Sequence, residues 1–371
     1  MVKISEFATD AKGSPRSVAE VTTSAGTRIF LLPVETFPNH VNNVYLIDDG
    51  AASVLVDVGT IMSQGAIEGR LVEVGERFGV ERTLRGLTEA VITHAHFDHF
   101  SNAHALRELG VPIAIHELDS RVLETFRERL LLVSRDIEIF LSRAGLRAER
   151  VAHFKAIHLG AKDAFAPIQP DRYLREGDLI AGKWPVVHVP GHCPGLICII
   201  VDDVVLTGDH LLARTTPLQS PHSITPFMGL SHYLDSLVKL RDRGPFALAL
   251  GAHEAPMPNV ARRIDETITH HRDRLARVLG LCHETPSTID QISRALFGSQ
   301  QGYGVLLALF ETAAHVEYLH ELGYLRVDNL DEVVDDLRAA PRYAARPEKL
   351  AKPLLVGFLS GGAPTPPGVR A

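Results

Sequence analysis

The chain has 371 residues, of which 45% are hydrophobic and 22% charged, a composition typical of an ordinary globular protein. This length predicts one large domain and a smaller one. The formal net charge of −7 disfavours a general attraction to nucleic acid or to anionic membranes. The few cysteines give no disulfide framework. Together with a polar N-terminus and the lack of a long apolar run, they predict a cytoplasmic protein without a membrane span.

The first half of the chain alternates short β-branched runs with helical patterns. Residues 27–60 predict strands separated by a turn at Asp48–Gly50, and a helix is expected from Gln64 to Phe78. The apolar runs "EAVIT" and "VPIAIH" predict buried strands. From Ser120 to Leu146, apolar residues three and four apart predict an amphipathic helix, broken or continuous, that serves as core packing or as a wall of the site.

Strand patterns return in residues 173–212 and 246–252, again with helices nearby. Two strand-rich stretches with flanking helices predict an α/β fold, a four-layer αβ/βα sandwich. After about residue 262, helical patterns that end in "LGYLRVD" predict a small winged-helix-like domain. The predicted division is an N-terminal extension at 1–26, a catalytic domain at 27–261 with a helical insert at about 120–158, a C-terminal domain at 262–340 and a Pro- and Gly-rich tail at 341–371.

The stretch "AVITHAHFDHF", residues 90–100, places three imidazoles and a carboxylate directly behind a predicted buried strand. His94 and His96 are two residues apart, so on an extended backbone their side chains point the same way and can share one ion. Asp98 and His99 then face a second position. Burying four polar groups is costly unless they share a partner, so this stretch predicts a metal site.

Three later segments share one arrangement, in which an apolar strand ends in a glycine turn that presents a ligand-type residue. "VVHVPGHCPG" presents His192, "VVLTGDH" presents Asp209, and "LALGAHEAP" presents His253. Glycine allows the backbone to approach closely enough for a short side chain to reach a metal. Because sites in such folds form where strand ends converge, we expect these residues to meet the first four.

Taken in order, "THAHFDH", "PGHCPG", "TGDH" and "GAHE" resemble the H-x-H-x-D-H, G-H, G-D and final His motifs of the metallo-β-lactamase superfamily. The chain looks most like glyoxalase II-like hydrolases with a C-terminal winged-helix domain, the group related to the human lactamase-B-like endoribonuclease. The resemblance covers residues 27 to about 330. It implies the metallo-β-lactamase sandwich and a metal-dependent hydrolase, and it says little about the substrate.

The resemblance also implies two zinc ions, with iron or manganese as alternatives that the same ligand types suit. The ligands of the first ion would be His94, His96 and His192, those of the second Asp98, His99 and His253, and Asp209 would bridge both. A hydroxide between the ions would be the nucleophile. In this scheme Asp98 and Asp209 are the catalytic residues.

Three functions compete on these residues. Hydrolysis of a small acyl substrate (a thioester, lactone or other ester) suits the acidic net charge and an insert that could enclose a small molecule. A phosphodiesterase or endoribonuclease would need a basic track and would show strong salt dependence. An iron-dependent persulfide dioxygenase needs a mononuclear site, which would leave His99 and His253 idle. We favour the first, with a small-molecule acyl substrate, nucleic acid disfavoured, no membrane partner, and a homo-oligomer left open.

Further residues near these motifs receive other interpretations. His222, downstream of Asp209, is a candidate for substrate binding. Cys193 is interpreted as a small neighbour that fills space beside His192 rather than as a metal-binding thiolate. The remaining histidines are predicted to be structural or packing residues near the ligands, or helix-surface and interdomain residues: His188, His210, His270, His271 and His315.

Overall fold

Two β-sheets packed face to face form the centre of the computed structural model, which describes residues 1–11, 13–336 and 338–350. Helices cover the outer face of each sheet, so the molecule has four layers. The α/β sandwich predicted from the sequence is confirmed.

The first sheet has eight strands, which follow one another in chain order. They are β1 (Lys3–Ile4), β2 (Ala19–Thr22), β3 (Arg28–Phe37), β4 (His40–Asp48), β5 (Ser53–Val56), β6 (Glu89–Ile92), β7 (Ile113–His116) and β8 (Arg172–Leu174). Neighbours are antiparallel from β1 to β5 and parallel from β5 to β8. The parallel strands β5, β6 and β7 are buried along their whole length, as their continuous apolar sequences predict.

The second sheet has five strands in the order β13-β12-β11-β10-β9. They are β9 (Leu179–Ile180), β10 (Trp184–His188), β11 (Ile197–Val201), β12 (Val204–Gly208) and β13 (Leu248–Gly251). Since β11 is antiparallel to both of its neighbours and β12 is parallel to β13, the strands β10, β12 and β13 run in one direction. Their carboxyl ends therefore share one edge. Tyr45 and Val91 of the first sheet meet Trp184 and Leu206 of the second in the apolar layer between the sheets.

Twelve α-helices surround the sheets in the described part of the chain. They are α1 (Gln64–Phe78), α2 (Phe97–Phe100), α3 (Ala103–Glu108), α4 (Glu117–Glu124), α5 (Phe126–Arg143), α6 (Ala148–Gly160), α7 (Leu230–Arg243), α8 (Val260–Glu284), α9 (Ile289–Phe297), α10 (Gly304–Glu321), α11 (Leu330–Asp335) and α12 (Pro347–Leu350). Helix α1 has the predicted bounds and ends at Gly79, whose φ of 68° is the left-handed cap that glycine favours. It buries Ile67 and Leu71 against the first sheet.

The helical insert consists of α4, α5 and α6, with a break at Thr125 where one helix was predicted, broken or continuous. Leu123 of α4 joins the core outside the first sheet. Ile137 and Leu141 of α5 join the core outside the second sheet. The insert therefore bridges the two outer layers of the sandwich.

The C-terminal region is helical and contains a two-stranded antiparallel sheet of β14 (Leu325–Val327) and β15 (Tyr343–Ala345), with α11 between the strands. Helix α10 buries Leu309 and Val316 in the same core as α7 and α8. The winged-helix assignment and the domain boundaries stay predictions. β1 and β2 lie within the predicted N-terminal extension, and β15 within the predicted tail, whose residues 351–371 are outside the described residues. Among the described helices, none has the length and apolar character required to cross a bilayer.

Candidate metal centre

The seven predicted ligands meet at one edge of the sandwich, where strands of both sheets end. His94 and His96 follow β6, and α2 carries Asp98 and His99. The other three follow strands of the second sheet: His192 after β10, Asp209 after β12 and His253 after β13. Strand ends that converge in this way bring side chains far apart in sequence to one point.

Three imidazole nitrogens form the first group of the centre. His94 Nε2 lies 3.1 Å from His96 Nδ1, and His192 Nε2 lies 3.0 Å from the same atom. Two ligands about 2.0–2.1 Å from a tetrahedral zinc ion lie about 3.3 Å apart, so nitrogens at this spacing suit one shared cation. The group thus fits a metal ion without rearrangement of its rings.

Asp98, His99 and His253 form the second group. Asp98 Oδ2 lies 3.4 Å from His99 Nε2 and 3.7 Å from His253 Nε2. These distances are longer than those of good hydrogen bonds, so the three atoms are not satisfied by one another. A cation between them could bind all three atoms.

Asp209 lies between the two groups. Its Oδ2 is 3.8 Å from His94 Nε2, 3.6 Å from His192 Nε2 and 3.7 Å from His99 Nε2. Its Oδ1 is buried, has no hydrogen-bond partner among the described residues and lies 3.4 Å from His253 Nε2. An unsatisfied buried carboxylate oxygen is costly. Asp209 therefore lies where a carboxylate could bind one cation through each oxygen and so bridge two.

The electrostatics of the first group suit metal binding. Burial lowers the pKa of His94 well below its usual value, the pKa of His96 to about 3, and that of His192 in the same direction. These rings are therefore neutral near pH 7, and neutral imidazole is the form that binds a metal.

Negatively charged carboxylates surround the histidines of the second group. Burial lowers the pKa of His99, but Asp98 and Asp57 outweigh that effect and raise it well above its usual value. Burial likewise opposes charge on His253, and Asp209 raises its pKa. Burial raises the pKa of Asp209, but His253 and His99 outweigh burial and hold it well below its usual range. The carboxylates thus favour positive charge at this position, whether from protons or from a metal ion.

Neighbouring groups fix the orientation of the ligands. Asp57 Oδ2 accepts a hydrogen bond from His99 Nδ1 at 2.8 Å, and its Oδ1 accepts one from the backbone N–H of Thr93 at 2.8 Å. Asn42 Nδ2 donates to Asp98 Oδ2 at 3.0 Å. Asp57 is held at a φ of 63°, a backbone conformation rare for residues other than glycine. Groups that hydrogen-bond to a metal ligand without binding the metal set the orientation of the ligand's ring and its basicity.

Helix α4 connects the loops that carry three of the ligands. Asp119 Oδ2 accepts the backbone N–H of Ala95 at 2.9 Å, and its Oδ1 accepts that of Gly195 at 2.8 Å. A side chain at Gly195 would place a Cβ 2.8 Å from Asp119, so glycine is required there. Burial raises the pKa of Asp119 to about 6.

Two further side chains at the centre have no part in the predicted ligand set. His40, at the start of β4, has its Nε2 3.1 Å from Asp98 Oδ2 and its ring 4.7 Å from that of His253. Cys193 Sγ lies 3.3 Å from His96 Nε2, on the opposite side of the ring from the nitrogen that faces His94. Burial raises the pKa of the Cys193 thiol well above its usual value, so the thiol is neutral and can accept a hydrogen bond from His96.

Other predicted residues lie around the centre. His188 Nε2 donates to the Pro194 carbonyl at 2.7 Å, as a structural residue would. His210 is buried with its ring 5.4 Å from that of Tyr233. His222 is exposed beside His232, and no hydrogen bond, ion pair or ring contact joins it to the seven among the described residues. The predicted substrate role of His222 stays a prediction.

Comparisons with known proteins agree with this geometry. The family model described as "Metallo-beta-lactamase superfamily" matches residues 38–253. A probable metallo-hydrolase of Bacillus subtilis (strain 168) is 25% identical over 289 residues, which are 74% of this chain and 86% of that protein. An acyl-coenzyme A thioesterase of Gallus gallus is 27% identical over 175 residues, 44% of this chain and 55% of that protein.

Solved structures support the same relationship. The crystal structure of a metallo-beta-lactamase family protein from Thermus thermophilus matches with a TM-score of 0.65 and 28% identity, over 86% of this chain and 98% of that one. A beta-lactamase domain protein from Burkholderia ambifaria matches with a TM-score of 0.67 and 25% identity, over 86% of this chain and 92% of that one. The chain, whose buried His and Asp side chains can bind divalent metal, is a hydrolase and belongs to the metallo-beta-lactamase superfamily.

Proposed function

We propose that this hydrolase binds two zinc ions and cleaves small acyl substrates, with thioesters favoured over lactones and other esters. The observation that carries the proposal is the position of Asp209 between two groups of ligand atoms, within 3.8 Å of His94, His192, His99 and His253. A carboxylate shared by two groups supports a binuclear rather than a mononuclear centre.

The donor types support zinc. Imidazole and carboxylate ligands suit zinc, and iron or manganese are the alternatives. The proposed ligands of one ion are His94, His96 and His192, those of the other are Asp98, His99 and His253, and Asp209 is proposed to bridge. When bound, the ions supply a water molecule activated at neutral pH and a positive centre that polarises the substrate carbonyl.

Neighbouring residues hold the proposed ligands in fixed orientations. Asn42 holds the Asp98 carboxylate through its side-chain amide at 3.0 Å, and Asp57 holds His99 through Nδ1 so that its Nε2 faces Asp98 and Asp209. Asp98 is thereby fixed where its carboxylate could orient a water molecule. Fixed positions of this kind lower the barrier, because the groups need not reorganise during the reaction.

The acyl substrate class rests on the relatives. Two of them, from Gallus gallus and Homo sapiens, are acyl-coenzyme A thioesterases, and the human one is 25% identical over 57% of this chain. The basic helix α8 gives little support to RNA as a substrate. Arg262 pairs with Glu266 at 2.8 Å, and the partly buried Arg274 pairs with Glu311, so these charges are already neutralised. We therefore place the nuclease hypothesis second and the persulfide dioxygenase third.

Metal analysis combined with a substrate panel tests the proposal. The purified protein is assayed for zinc, iron and manganese, and then with acyl-coenzyme A thioesters, lactones and RNA. We expect about two zinc ions per chain and turnover of thioesters, as in binuclear zinc hydrolases. Asp98→Asn should abolish turnover, while Asp273→Asn on the exposed face of α8 should not. One iron per chain with oxygen uptake, or cleavage of RNA alone, would contradict the proposal.

A further inference from the structure

One peptide group connects the metal centre to the C-terminal helices. His192 Nδ1 donates to the carbonyl oxygen of Leu218 at 2.8 Å. The N–H of the same peptide group belongs to Gln219, and it donates to Glu311 Oε2 at 2.8 Å. Because the C=O and N–H of a trans peptide point in opposite directions, one planar unit is held at both ends. A carboxylate, a peptide and an imidazole thus form a continuous series of hydrogen bonds.

Glu311 is itself fixed within the C-terminal helices. It is buried on α10, and its Oε1 contacts Nη1 of Arg274 on α8. Its backbone carbonyl accepts a hydrogen bond from His315 Nδ1 at 2.7 Å. The carboxylate therefore has little freedom, and its position determines that of the peptide it binds.

The orientation of His192 depends on this series. Its Nε2 faces His96 Nδ1 at 3.0 Å and Asp209 Oδ2 at 3.6 Å, so the hydrogen bond at Nδ1 sets both the tautomer and the direction of the ring. A negative group beyond the peptide N–H also makes the Leu218 carbonyl a stronger acceptor, since hydrogen bonds in series polarise one another. Glu311 lies outside residues 38–253, the part that matches the family model.

We propose that Glu311 is a positioning residue that orients the ligand His192 through the Leu218–Gln219 peptide. The C-terminal helices thereby contribute to the metal affinity of the group formed by His94, His96 and His192. The proposal rests on the proposed metal centre, and it gives the C-terminal region a specific task in the hydrolase.

Glu317 provides a matched control on the same helix. Its carboxylate also accepts a backbone N–H from the loop, that of Ser223 at 3.2 Å. Among the described residues, no hydrogen bond joins that peptide to a proposed metal ligand, and Glu317 is only partly buried. Glu317→Ala removes a similar loop contact from α10 without affecting the series that ends at His192.

The test compares metal binding by the full chain and its variants. Zinc affinity is measured by competition with a chromophoric chelator, and the visible spectrum is recorded after cobalt(II) loading. We expect Glu311→Ala to weaken zinc binding roughly 10- to 100-fold and to change the cobalt spectrum, as for other outer groups of metal sites. Glu311→Gln keeps an acceptor for Gln219 and should restore most of the affinity. Glu317→Ala should match the unmodified protein in both measurements.

Removal of Glu311 leaves the partly buried Arg274 without its carboxylate partner, which can prevent folding. Circular dichroism is therefore recorded first, and the double variant Glu311→Leu/Arg274→Leu, which removes both charges, is measured in the same way. Unchanged affinity and cobalt spectrum in a folded Glu311→Ala or double variant would overturn the proposal. If the unmodified protein binds neither metal, the proposed function fails instead, so the two failures are distinguishable.

Discussion

The described part of the chain contains two buried clusters of histidines and carboxylates, and they differ in what neutralises the carboxylate. The metal centre contains the seven predicted ligands. The second cluster, called the helical cluster here, consists of His271, Glu311 and His315 between α8 and α10. In both, ligand-type atoms lie close enough to share an ion. Proximity alone therefore does not distinguish a metal site from a structural cluster.

In the helical cluster, a cationic side chain already neutralises the carboxylate. Arg274 pairs with Glu311, and His271 Nδ1 lies 3.1 Å from His315 Nε2. Burial lowers the pKa of His315 to about 3 and that of His271 well below its usual value, so both rings are neutral. At the metal centre, by contrast, no arginine or lysine pairs with Asp98 or Asp209 among the described residues, and Asp209 Oδ1 has no hydrogen-bond partner. A buried carboxylate that faces histidines and no arginine or lysine among the described residues is the feature that indicates metal.

The largest expected effect comes from removing the shared carboxylate of the metal centre. Asp209→Ala should reduce bound zinc from about two ions to one or none, and turnover should fall to the uncatalysed rate, because neither group keeps its full ligand set. The measurement is elemental analysis together with thioester hydrolysis. His271→Leu is the control in the helical cluster and should leave the zinc content unchanged. Loss of an ion in the control would show that the helical cluster also binds metal.

The second prediction concerns stability and pH in the helical cluster. His315 has a folded-state pKa of about 3, against 6.5 for an ordinary histidine. Above pH 6.5 the neutral ring makes its full contribution to the free energy of unfolding. Stability is lost as the pH falls from 6.5 towards 3, because only the unfolded chain binds the proton in that window.

We expect His315→Gln to reduce the slope of the unfolding free energy by about 1.4 kcal/mol per pH unit in that window. Urea unfolding of the folded variant and of the unmodified protein at several pH values measures the difference. Parallel profiles for the two proteins would contradict a neutral, buried His315.

A smaller effect is expected from the group that supports His99. Asp57→Asn should weaken zinc binding roughly 10- to 100-fold, because it removes a charge that fixes the tautomer of a ligand. Chelator competition measures the affinity. Asp171→Asn is a matched control, since Asp171 Oδ2 also accepts a backbone N–H at a strand, that of Ile113 at 2.9 Å, away from the ligands. Equal zinc affinities in the two variants would show that Asp57 does not support metal binding through His99.

The smallest effect is expected at Cys193. Cys193→Ala removes one neutral hydrogen bond to His96, worth about 0.5–1.5 kcal/mol, so zinc affinity should fall about two- to tenfold. Cys193→Ser keeps an acceptor and should lie closer to the unmodified protein. If Cys193→Ala instead lost an entire ion, the sulfur would be a ligand, and the interpretation of Cys193 as a neighbour would be wrong.

The sequence predicted the parts of the molecule whose signal is local. The sandwich followed from apolar runs, and the bounds of α1 followed from its periodicity and from Gly79. His94, His96, Asp98 and His99 stand in one motif. His192, Asp209 and His253 were found because each follows an apolar strand and a glycine. The structure brings all seven together.

The supporting residues could not be predicted, because their roles arise from contacts across the fold. Asp57 lies 42 residues from His99, and Asn42 lies 56 residues from Asp98. The only local signal for Asp57 was a carboxylate followed by a glycine turn after β5, a pattern similar to the one that revealed Asp209. Likewise, His271 and His315 could be placed no further than helix surfaces or interdomain positions, and both prove to be fully buried. Helical periodicity does not reveal which faces two helices bury against each other.

The positions of the metal ions can be observed in a crystal structure of the zinc-loaded protein, with anomalous data collected at the zinc edge. We expect two anomalous peaks. One lies among His94 Nε2, His96 Nδ1 and His192 Nε2, the other among Asp98, His99 and His253, and Asp209 contacts both. A single peak at the first group would reduce the centre to one ion. A peak at His271 and His315, or none at the seven residues, would contradict the account.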